Sequence, residues 1–375
     1  MSAATSVDLA IEGGRVVDPA SGRDEVGTVA VADGRIARPG PAVRTIDASG
    51  LLVVPGLVDL HTHVYTGVSH YGVEADRHCL ARGVTTAVDT GSAGGRTFPG
   101  FRRSVIDVVR TRVLAFLHIA VQGMISPVVG ELEDIRWASV EECVARAREH
   151  PDVIVGVKVR LGYQMVGQDA EPALHLAREA ADELELPLMV HVIDMPLPIP
   201  RLLESMHAGD VVTHCFHGEP LGTILDGDGR VFRECFDARD RGVVFDIGHG
   251  VGSFAFRVAR AALEQGFAPQ TISSDIHAYN VAGPVYDQVT TLSKLLYLGM
   301  PLEDVIAATT AAPARTLRRD GDLGSLAEGR EADVTVLELV SGEHRLDDAA
   351  GESVVAEDVL VPRWVVRAGD PLEIA

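Results

Sequence analysis

Cysteine, basic residues and long apolar runs are all scarce in this chain. Its 375 residues include four cysteines without a Cys-x-x-Cys spacing, so we expect buried thiols of a cytoplasmic protein. No stretch reaches the about 18 uninterrupted apolar residues that a membrane-spanning helix needs. Residues 1–8 lack the basic start and the apolar core of a signal peptide. The sequence therefore predicts neither a membrane span nor a cleaved leader.

Positive charge is in clear deficit. Lysine and arginine together number 33 against 54 aspartate and glutamate residues, which gives a formal net charge of −21. This charge argues against nucleic acid and against anionic membranes as partners. The acidic residues are spread along the chain and form no tail, so their simplest role is solubility. The length of 375 residues suits a barrel of about 250 residues with an accessory domain, and the 46% of hydrophobic residues allows a large buried core.

What the sequence does contain is a His-x-His motif behind a Pro-Gly turn. Residues 55–63 run from Pro55 through an apolar segment to His61 and His63. Because side chains alternate along a strand, Asp59, His61 and His63 share one face. Two imidazoles on one face can chelate a divalent cation, and Asp59 can support them. An isolated pair of this kind is more often a surface or capping feature, so the rest of the chain must decide.

Four further apolar segments each end near a candidate metal ligand. They supply Lys158 in residues 153–162, His191 in 186–194, His214 with His217 in 210–218, and Asp275 in 271–280. Each of these residues alone could be a core polar group whose hydrogen bonds are satisfied inside the protein. Five such segments in chain order favour one shared site instead.

Lys158 stands in an unusually apolar run. Strand parity places Lys158 and Arg160 on one face and Val157 and Val159 on the other. Burying a lone ammonium group is costly. A carboxylate partner is one way to avoid that cost. The other is loss of the proton and reaction with carbon dioxide, which gives a carbamate whose two oxygens can bridge two metals.

Short apolar strands alternate with helical patterns through the middle of the chain. The predicted strands are Leu57–His61, Val84–Asp89, Val113–Ala120, Val153–Val159, Leu188–Val192, Val211–Cys215, Val243–Ile247 and Thr271–Asp275. Apolar residues at helical spacing predict helices over residues 140–148, 171–182 and 256–264. The alternation is typical of the α/β class and of a parallel (β/α)8 TIM barrel, whose site lies at the C-terminal ends of its strands. We assign residues 56–320 to this barrel.

The two ends of the chain have an all-β pattern. Short strands with turns fill the first fifty residues, where Asp33-Gly34 predicts a hairpin. A similar pattern returns in residues 324–337 and 364–369, around a polar stretch. Residues 1–55 plus 321–375 are therefore predicted to form one small β-sandwich.

The order His-x-His, Lys, His, His, Asp resembles the binuclear pattern of the amidohydrolase superfamily. A narrower resemblance is to its amidohydrolase/deacetylase subgroup, which is often labelled dihydroorotase-like. The segments that carry this resemblance are Asp89–Gly95, Thr97–Arg103, Thr213–Gly218 and Phe245–Phe254. It covers nearly the whole chain and implies the same barrel with a sandwich built from both termini.

The resemblance also implies how two divalent ions, most often zinc, would be held. His61 and His63 would hold the first ion, and His191 and His214 the second. A carboxylated lysine (N6-carboxylysine) at Lys158 and a water or hydroxide would bridge the two ions.

Asp275 would join the first ion and serve as the catalytic general base. Many relatives carry Asn where this chain has His217. That difference leaves the choice of ligand between His214 and His217 open, although strand position favours His214.

The resemblance implies a small acylated carboxylic acid as substrate, either an N-acetyl amino acid or an O-acetyl hydroxy acid. Arg160 is the candidate clamp for its carboxylate, or else forms a structural ion pair. His249, His277 and His217 could contact the substrate or support the metal site. A cyclic-amide hydrolase, such as a dihydroorotase or hydantoinase, and a non-catalytic barrel in an assembly remain alternatives. A homo-oligomer also stays open.

Overall fold

The computed structural model describes residues 6–374. Most of the segment considered above for a signal peptide therefore lies outside the described residues. The strands of the described chain are β1 Val7–Asp18, β2 Arg23–Ala32, β3 Arg35–Ala37, β4 Ala42–Asp47, β5 Leu52–Pro55, β6 Leu57–Thr62, β7 Val84–Gly94, β8 Arg112–His118, β9 Ile154–Arg160, β10 Leu188–His191, β11 Val211–Thr213, β12 Val244–Asp246, β13 Val334–Asp347, β14 Ser353–Arg367 and β15 Asp370–Glu373.

The helices lie mainly between the strands of the middle region. They are α1 Ala75–His78, α2 Phe98–Phe101, α3 Val140–Glu149, α4 Tyr163–Val166, α5 Ala170–Leu184, α6 Ile199–Leu203, α7 Arg233–Asp240, α8 Phe256–Glu264, α9 Gln288–Tyr297, α10 Leu302–Ala307 and α11 Ala311–Thr316. The three predicted helices are confirmed as α3, α5 and α8. Ser139 caps α3 by accepting a hydrogen bond from the backbone N–H of Glu142, which fixes where that helix begins. Within residues 6–374, no helix is both long and apolar enough to cross a membrane.

The middle of the chain forms a parallel barrel. Strands β6 to β12 follow one another in chain order across one sheet, and every neighbouring pair is parallel. The residues of β6, β7 and β9 are buried throughout, as expected for strands covered on both faces. The parallel (β/α)8 fold class that the sequence predicts is the observed one.

The predicted eighth strand, Thr271–Asp275, is only partly regular. Thr271 bridges Asp246 of β12, and Ile276 bridges Thr62 of β6, each as an isolated parallel bridge. The segment still closes the barrel, because its backbone bonds both neighbours. The N–H of Asp275, for instance, donates to the carbonyl of His61 at 2.7 Å. Left-handed backbone at Asp275 (φ 50°) interrupts regular pairing where the segment reaches the site.

Strands from both ends of the chain share a second sheet. Its order is β15-β14-β13-β5-β1-β2-β3, and β4 pairs with β1. Asp33 and Gly34 form the two-residue turn between β2 and β3 with φ of 51° and 71°, which confirms the predicted hairpin. The sheet has a hydrophobic core of its own, to which strands from both termini contribute.

The two sheets meet at Gly56. Strand β5 belongs to the terminal sheet and β6 to the barrel, so a single glycine separates them. A Cβ at Gly56 would lie 2.3 Å from Thr85 Oγ1 and 2.7 Å from Asp333 Cβ, which explains the Pro-Gly turn. The terminal sheet thereby holds the start of β6, the strand that carries His61. The division of the chain after residues 55 and 320 stays a proposal.

Candidate metal centre and active site

His61 has a defined tautomer, because the Nδ1 atom of its ring is hydrogen-bonded within the protein. Its Nδ1 lies 2.9 Å from Thr213 Oγ1, and that hydroxyl donates to Asp246 Oδ2 at 2.8 Å. The hydroxyl oxygen must therefore accept from His61 Nδ1–H. This leaves a lone pair on His61 Nε2, which is the arrangement of a metal-ligating histidine with a supporting partner.

His214 and His63 are held in a similar way. His214 Nδ1 lies 2.7 Å from the carbonyl oxygen of Gly248, which can only accept, so Nδ1 carries the proton. His214 Nε2 is buried without a hydrogen-bond partner. His63 Nδ1 lies 2.9 Å from Ser92 Oγ. In all three histidines the Nδ1 atom is engaged, and in His61 and His214 the Nε2 atom is left as a ligand.

The barrel closure brings Asp275 against these rings. Asp275 Oδ1 lies 3.4 Å from His61 Nε2 and 3.1 Å from His63 Nε2. One ligand atom each from His61, His214 and Asp275 lies within 4.8 Å of the others. Lone pairs of an imidazole and a carboxylate repel at such distances unless a proton or a cation lies between them. The donor set therefore fits a divalent cation.

Lys158 and His191 complete the group. The His191 ring lies 4.4 Å from the His214 ring, centroid to centroid. Lys158 is fully buried, and neither a carboxylate nor any other group bonds its Nζ. Of the two ways to avoid the cost of burying Lys158, an ion pair with a carboxylate is not found among residues 6–374. The chain has only two lysines among its 33 basic residues, and Lys158 is one of them. A lysine at this position therefore does not reflect a general abundance of lysine.

Two of the candidate ligands have a strained backbone. His214 (φ 72°) and Asp275 (φ 50°) are both left-handed, a conformation that non-glycine residues rarely adopt. Such strain persists where the surrounding structure enforces it, commonly at functional sites. Gly250 leaves room for Asp275, since a Cβ there would lie 2.5 Å from Asp275 Oδ2.

Burial sets the charge states of these groups. It lowers the pKa of His61, His191 and His214 well below the ordinary value, which keeps the rings neutral and able to ligate. Burial likewise lowers the pKa of Lys158 to about 7 and raises the pKa of Asp275 to about 6. A lysine that loses its proton near neutral pH is chemically able to react with carbon dioxide.

These groups line a cavity of about 410 Å³ at the C-terminal end of the barrel. The predicted site residues that line it are His61, His63, Lys158, Arg160, His191, His214, Asp275 and His277. Sequence reasoning missed Tyr71, which also lines the cavity and stacks on His63 with ring centroids 5.1 Å apart. Tyr71 stands in a loop after β6 with no motif of its own, so only the fold identifies it.

Arg160 is already paired inside the cavity wall. Its Nη1 donates to Glu131 Oε1 at 2.9 Å, and both side chains are buried. Its Nη2 lies 3.5 Å from the hydroxyl of Tyr71. The structural ion pair that the sequence left open is therefore present, although Arg160 still lines the cavity. Glu131 lies in the loop before α3, which the strand pattern could not place.

His217 and His249 do not line the cavity. His217 Nε2 donates to the carbonyl of Gly222 at 3.0 Å, and its Nδ1 accepts from the N–H of Glu219. His249 Nε2 accepts from Lys294 Nζ at 2.7 Å. Both rings are thus occupied within the protein, which corrects their assignment as substrate-binding residues. The structure places His214, and not His217, beside His61 and His191.

Of the three histidines predicted to contact the substrate, His277 is the one that lines the cavity. Its Nδ1 accepts from the N–H of Tyr279 at 3.2 Å, so the neutral ring carries its proton on Nε2. Burial lowers the pKa of His277 to about 4, which keeps the ring neutral. It offers the site a neutral hydrogen-bond donor.

Comparison with known proteins gives one consistent family. The amidohydrolase family model matches residues 249–365. A deacetylase of Agrobacterium fabrum is 38% identical over 350 residues, which cover 91% of this chain and 85% of that protein. A deacetylase of Brucella anthropi is 37% identical, with 88% of this chain and 82% of that protein covered. This chain belongs to the amidohydrolase superfamily.

Solved amidohydrolase structures agree with this assignment. An adenine deaminase structure superposes with a TM-score of 0.90 at 31% identity, covering 98% of this chain and all of that one. A dihydroorotase structure also gives 0.90, at 33% identity, with 98% and 99% covered. A D-hydantoinase structure, at 18% identity and a TM-score of 0.70, shares the fold. The chain is accordingly a hydrolase of the amidohydrolase superfamily.

Proposed function

We propose that this amidohydrolase is a binuclear metal-dependent deacylase of small acylated carboxylic acids. The carrying observation is that His214 Nε2, Lys158 Nζ and Asp275 Oδ1 are all buried at one cavity without hydrogen-bond partners. Buried polar atoms are nearly always paired, so three unpaired ones at one place call for a missing ligand. The similarity to two proteins named deacetylase supports the choice of reaction.

His61 and His63 would hold one ion, His191 and His214 the other, with carboxylated Lys158 between them and Asp275 on the first. When bound, two divalent ions lower the pKa of water and polarise the scissile carbonyl. Zinc is the proposed metal, because imidazoles and carboxylates with a supporting shell suit it.

Asp275 is the proposed general base. It would take a proton from the attacking water and return that proton to the leaving amine or alcohol. The cleaved bond is a C–N or C–O acyl bond, and the products are acetate and the free amino or hydroxy acid.

Arg160 and His277 are the proposed substrate contacts. Arg160 bonds Glu131 through Nη1, so its remaining guanidinium donors could receive a substrate carboxylate. His277 offers Nε2–H to a carbonyl oxygen of the substrate. The rim of the cavity contains Asp194 and Glu219, which favour a substrate with one carboxylate over one with two.

A cyclic-amide hydrolase is the second candidate. The observation that favours it is the dihydroorotase structure of 33% identity and TM-score 0.90. Such an enzyme opens a ring amide or imide with the same metal chemistry. The described cavity offers Tyr71, Tyr163 and Gln164 as ring contacts.

The test combines metal content with a substrate panel. Plasma emission of purified protein should give close to two divalent ions per chain. Acetylated amino and hydroxy acids should be hydrolysed faster than dihydroorotate, hydantoins or adenine. If the protein holds two ions per chain but prefers dihydroorotate, the second function replaces the first. If the protein binds no divalent ion, both functions are contradicted.

Further expectations about the cell stay proposals. We propose a cytoplasmic enzyme whose partner is its small-molecule substrate, without nucleic acid or membrane partners. The four cysteines are free and buried, which agrees with a reducing compartment. Light scattering coupled to size-exclusion chromatography would measure whether the protein is a monomer or a homo-oligomer.

A further inference from the structure

His118 is a buried histidine that no predicted role accounts for. It ends strand β8 and is fully buried, and it does not line the cavity. Its Nδ1 accepts a hydrogen bond from the backbone N–H of Ala120 at 2.9 Å. An Nδ1 that accepts cannot carry a proton, so the neutral ring has its proton on Nε2. His118 therefore presents a single N–H donor with a fixed direction.

Within the described part of the chain, residues 6–374, that donor has no acceptor. His118 Nε2 is buried without a hydrogen-bond partner, as is Lys158 Nζ. An unmade hydrogen bond at a buried N–H is costly, so a protein rarely keeps one without a reason.

The two unpaired groups are neighbours. His118 and Lys158 are register partners on the adjacent parallel strands β8 and β9. Side chains of register partners point to the same face of a sheet. A Cβ built on Gly91 would lie 2.9 Å from Lys158 Cγ and 3.0 Å from His118 Cδ2, the carbon bonded to Nε2. Both side chains therefore flank the same point, and Gly91 (φ +94°) keeps that space open.

We propose that His118 is a positioning residue, whose Nε2–H donates to a carboxylate oxygen of carboxylated Lys158. This inference rests on the carboxylation included in the proposed function. In that reaction neutral Lys158 Nζ attacks dissolved carbon dioxide and a C–N bond forms. The electron pair of one C–O π bond moves to its oxygen, which gives the carboxylate, and one Nζ proton leaves to solvent. The added carboxylate brings an acceptor into the space between Lys158 and His118.

The chemistry of the donor favours this assignment over a role as metal ligand. A ring whose Nδ1 accepts from the backbone has a proton, and not a lone pair, on Nε2. It cannot ligate a cation, but it can bond an anion. A charge-assisted hydrogen bond would hold the plane of the carbamate and stabilise its charge in a buried site. Partners of this kind change metal affinity typically by about 10–100-fold.

The chain is well suited to a direct test, because Lys158 and Lys294 are its only lysines. Protein labelled with 15N at lysine Nζ is freed of metal and titrated with 13C-bicarbonate in the presence of zinc. A carbamate carbon then shows one-bond coupling to 15N, and zinc content is measured on the same samples. Lys158→Ala identifies the signal by its loss, and Lys294 serves as the internal standard.

Two variants of His118 separate the two ends of its ring. His118→Asn keeps an acceptor near the position of Nδ1 for the N–H of Ala120 but does not reach Lys158. His118→Gln brings an amide N–H near the position of Nε2. We expect His118→Asn to need about 10–100-fold more bicarbonate for half-maximal carbamate and for the second zinc ion. His118→Gln should recover most of the lost bicarbonate and zinc affinity. Its melting temperature should be no higher than that of His118→Asn, so that the recovery comes from the N–H donor and not from greater stability.

The outcomes distinguish this inference from the proposed function. If the parent protein shows no coupled carbamate signal, the carboxylated centre is wrong and the role of His118 falls with it. If the parent shows the signal and His118→Asn has the same bicarbonate dependence, only the role of His118 is overturned. Should His118→Asn fail to fold, His118→Gln decides alone: a half-maximal bicarbonate concentration more than tenfold above that of the parent would contradict the proposal.

Discussion

Arg160 and Glu131 form a buried ion pair at the wall of the cavity, with Arg160 Nη1 2.9 Å from Glu131 Oε1. Glu131 Oε2 has no hydrogen-bond partner, and the guanidinium also lies over the ring of Tyr71 at 5.5 Å. The pair fixes one edge of the guanidinium. It thereby orients the other donors of Arg160, the only arginine among the residues that line the cavity.

Arg160→Met tests whether the substrate carries a carboxylate. Loss of a charge-assisted pair in a secluded site should weaken kcat/KM on acidic acyl substrates by about 2–4 kcal/mol. Methyl esters or amides of the same acids should be poor substrates of the parent and lose little more. An equal loss on charged and neutral substrates, with a lower melting temperature, would make the Arg160–Glu131 pair purely structural.

Lys158→Ala tests the proposed bridge. The variant should lose most of the second divalent ion and nearly all activity, as measured by plasma emission and turnover. Added short carboxylic acids should restore part of both, because a free carboxylate can occupy the place of the carbamate. A variant with full metal content and full rate would remove Lys158 from the site.

Asp275→Asn tests the general base. The amide cannot accept the proton, so turnover should fall by several orders of magnitude. The melting temperature should change little, because Asp275 contributes little to the hydrophobic core. A loss below tenfold would mean that another residue moves the proton.

Thr213→Val tests the support behind His61. The variant keeps the shape of the side chain but removes the hydroxyl between His61 Nδ1 and Asp246. Metal affinity should fall by about 10–100-fold, as it does when such supporting partners are lost. Thr213→Ser keeps the hydroxyl and is the matched control. Equal zinc affinities in both variants would contradict a role for this hydroxyl.

Lys294 gives a prediction on stability and pH. Burial lowers the pKa of Lys294 to about 7, whereas the pKa of a lysine in the unfolded chain is about 10.4. Between these pH values the unfolded state binds the extra proton, so the free energy of unfolding should rise with pH from about 7 to 10. Lys294→Met should lack this contribution. Denaturant unfolding of both proteins at pH 7 and pH 9.5 measures it, and parallel slopes would show that Lys294 stays charged in the fold.

The sequence by itself determined the barrel, because the alternation of apolar strands with helical patterns is a local property of the chain. The strands are buried on both faces, so each one is easily recognised as a short apolar run. It also determined that His61, His63, Lys158, His191 and Asp275 end up together, since parallel strands bring their C-terminal ends to one mouth. The tertiary structure alone decided which contacts are made by the loops that connect the strands. His249 turns to Lys294 and His217 to its own loop, while Glu131 and Tyr71 reach Arg160 from distant loops. These contacts depend on loop conformations and on long-range closure of the barrel, for which residue spacing along a chain holds no signal.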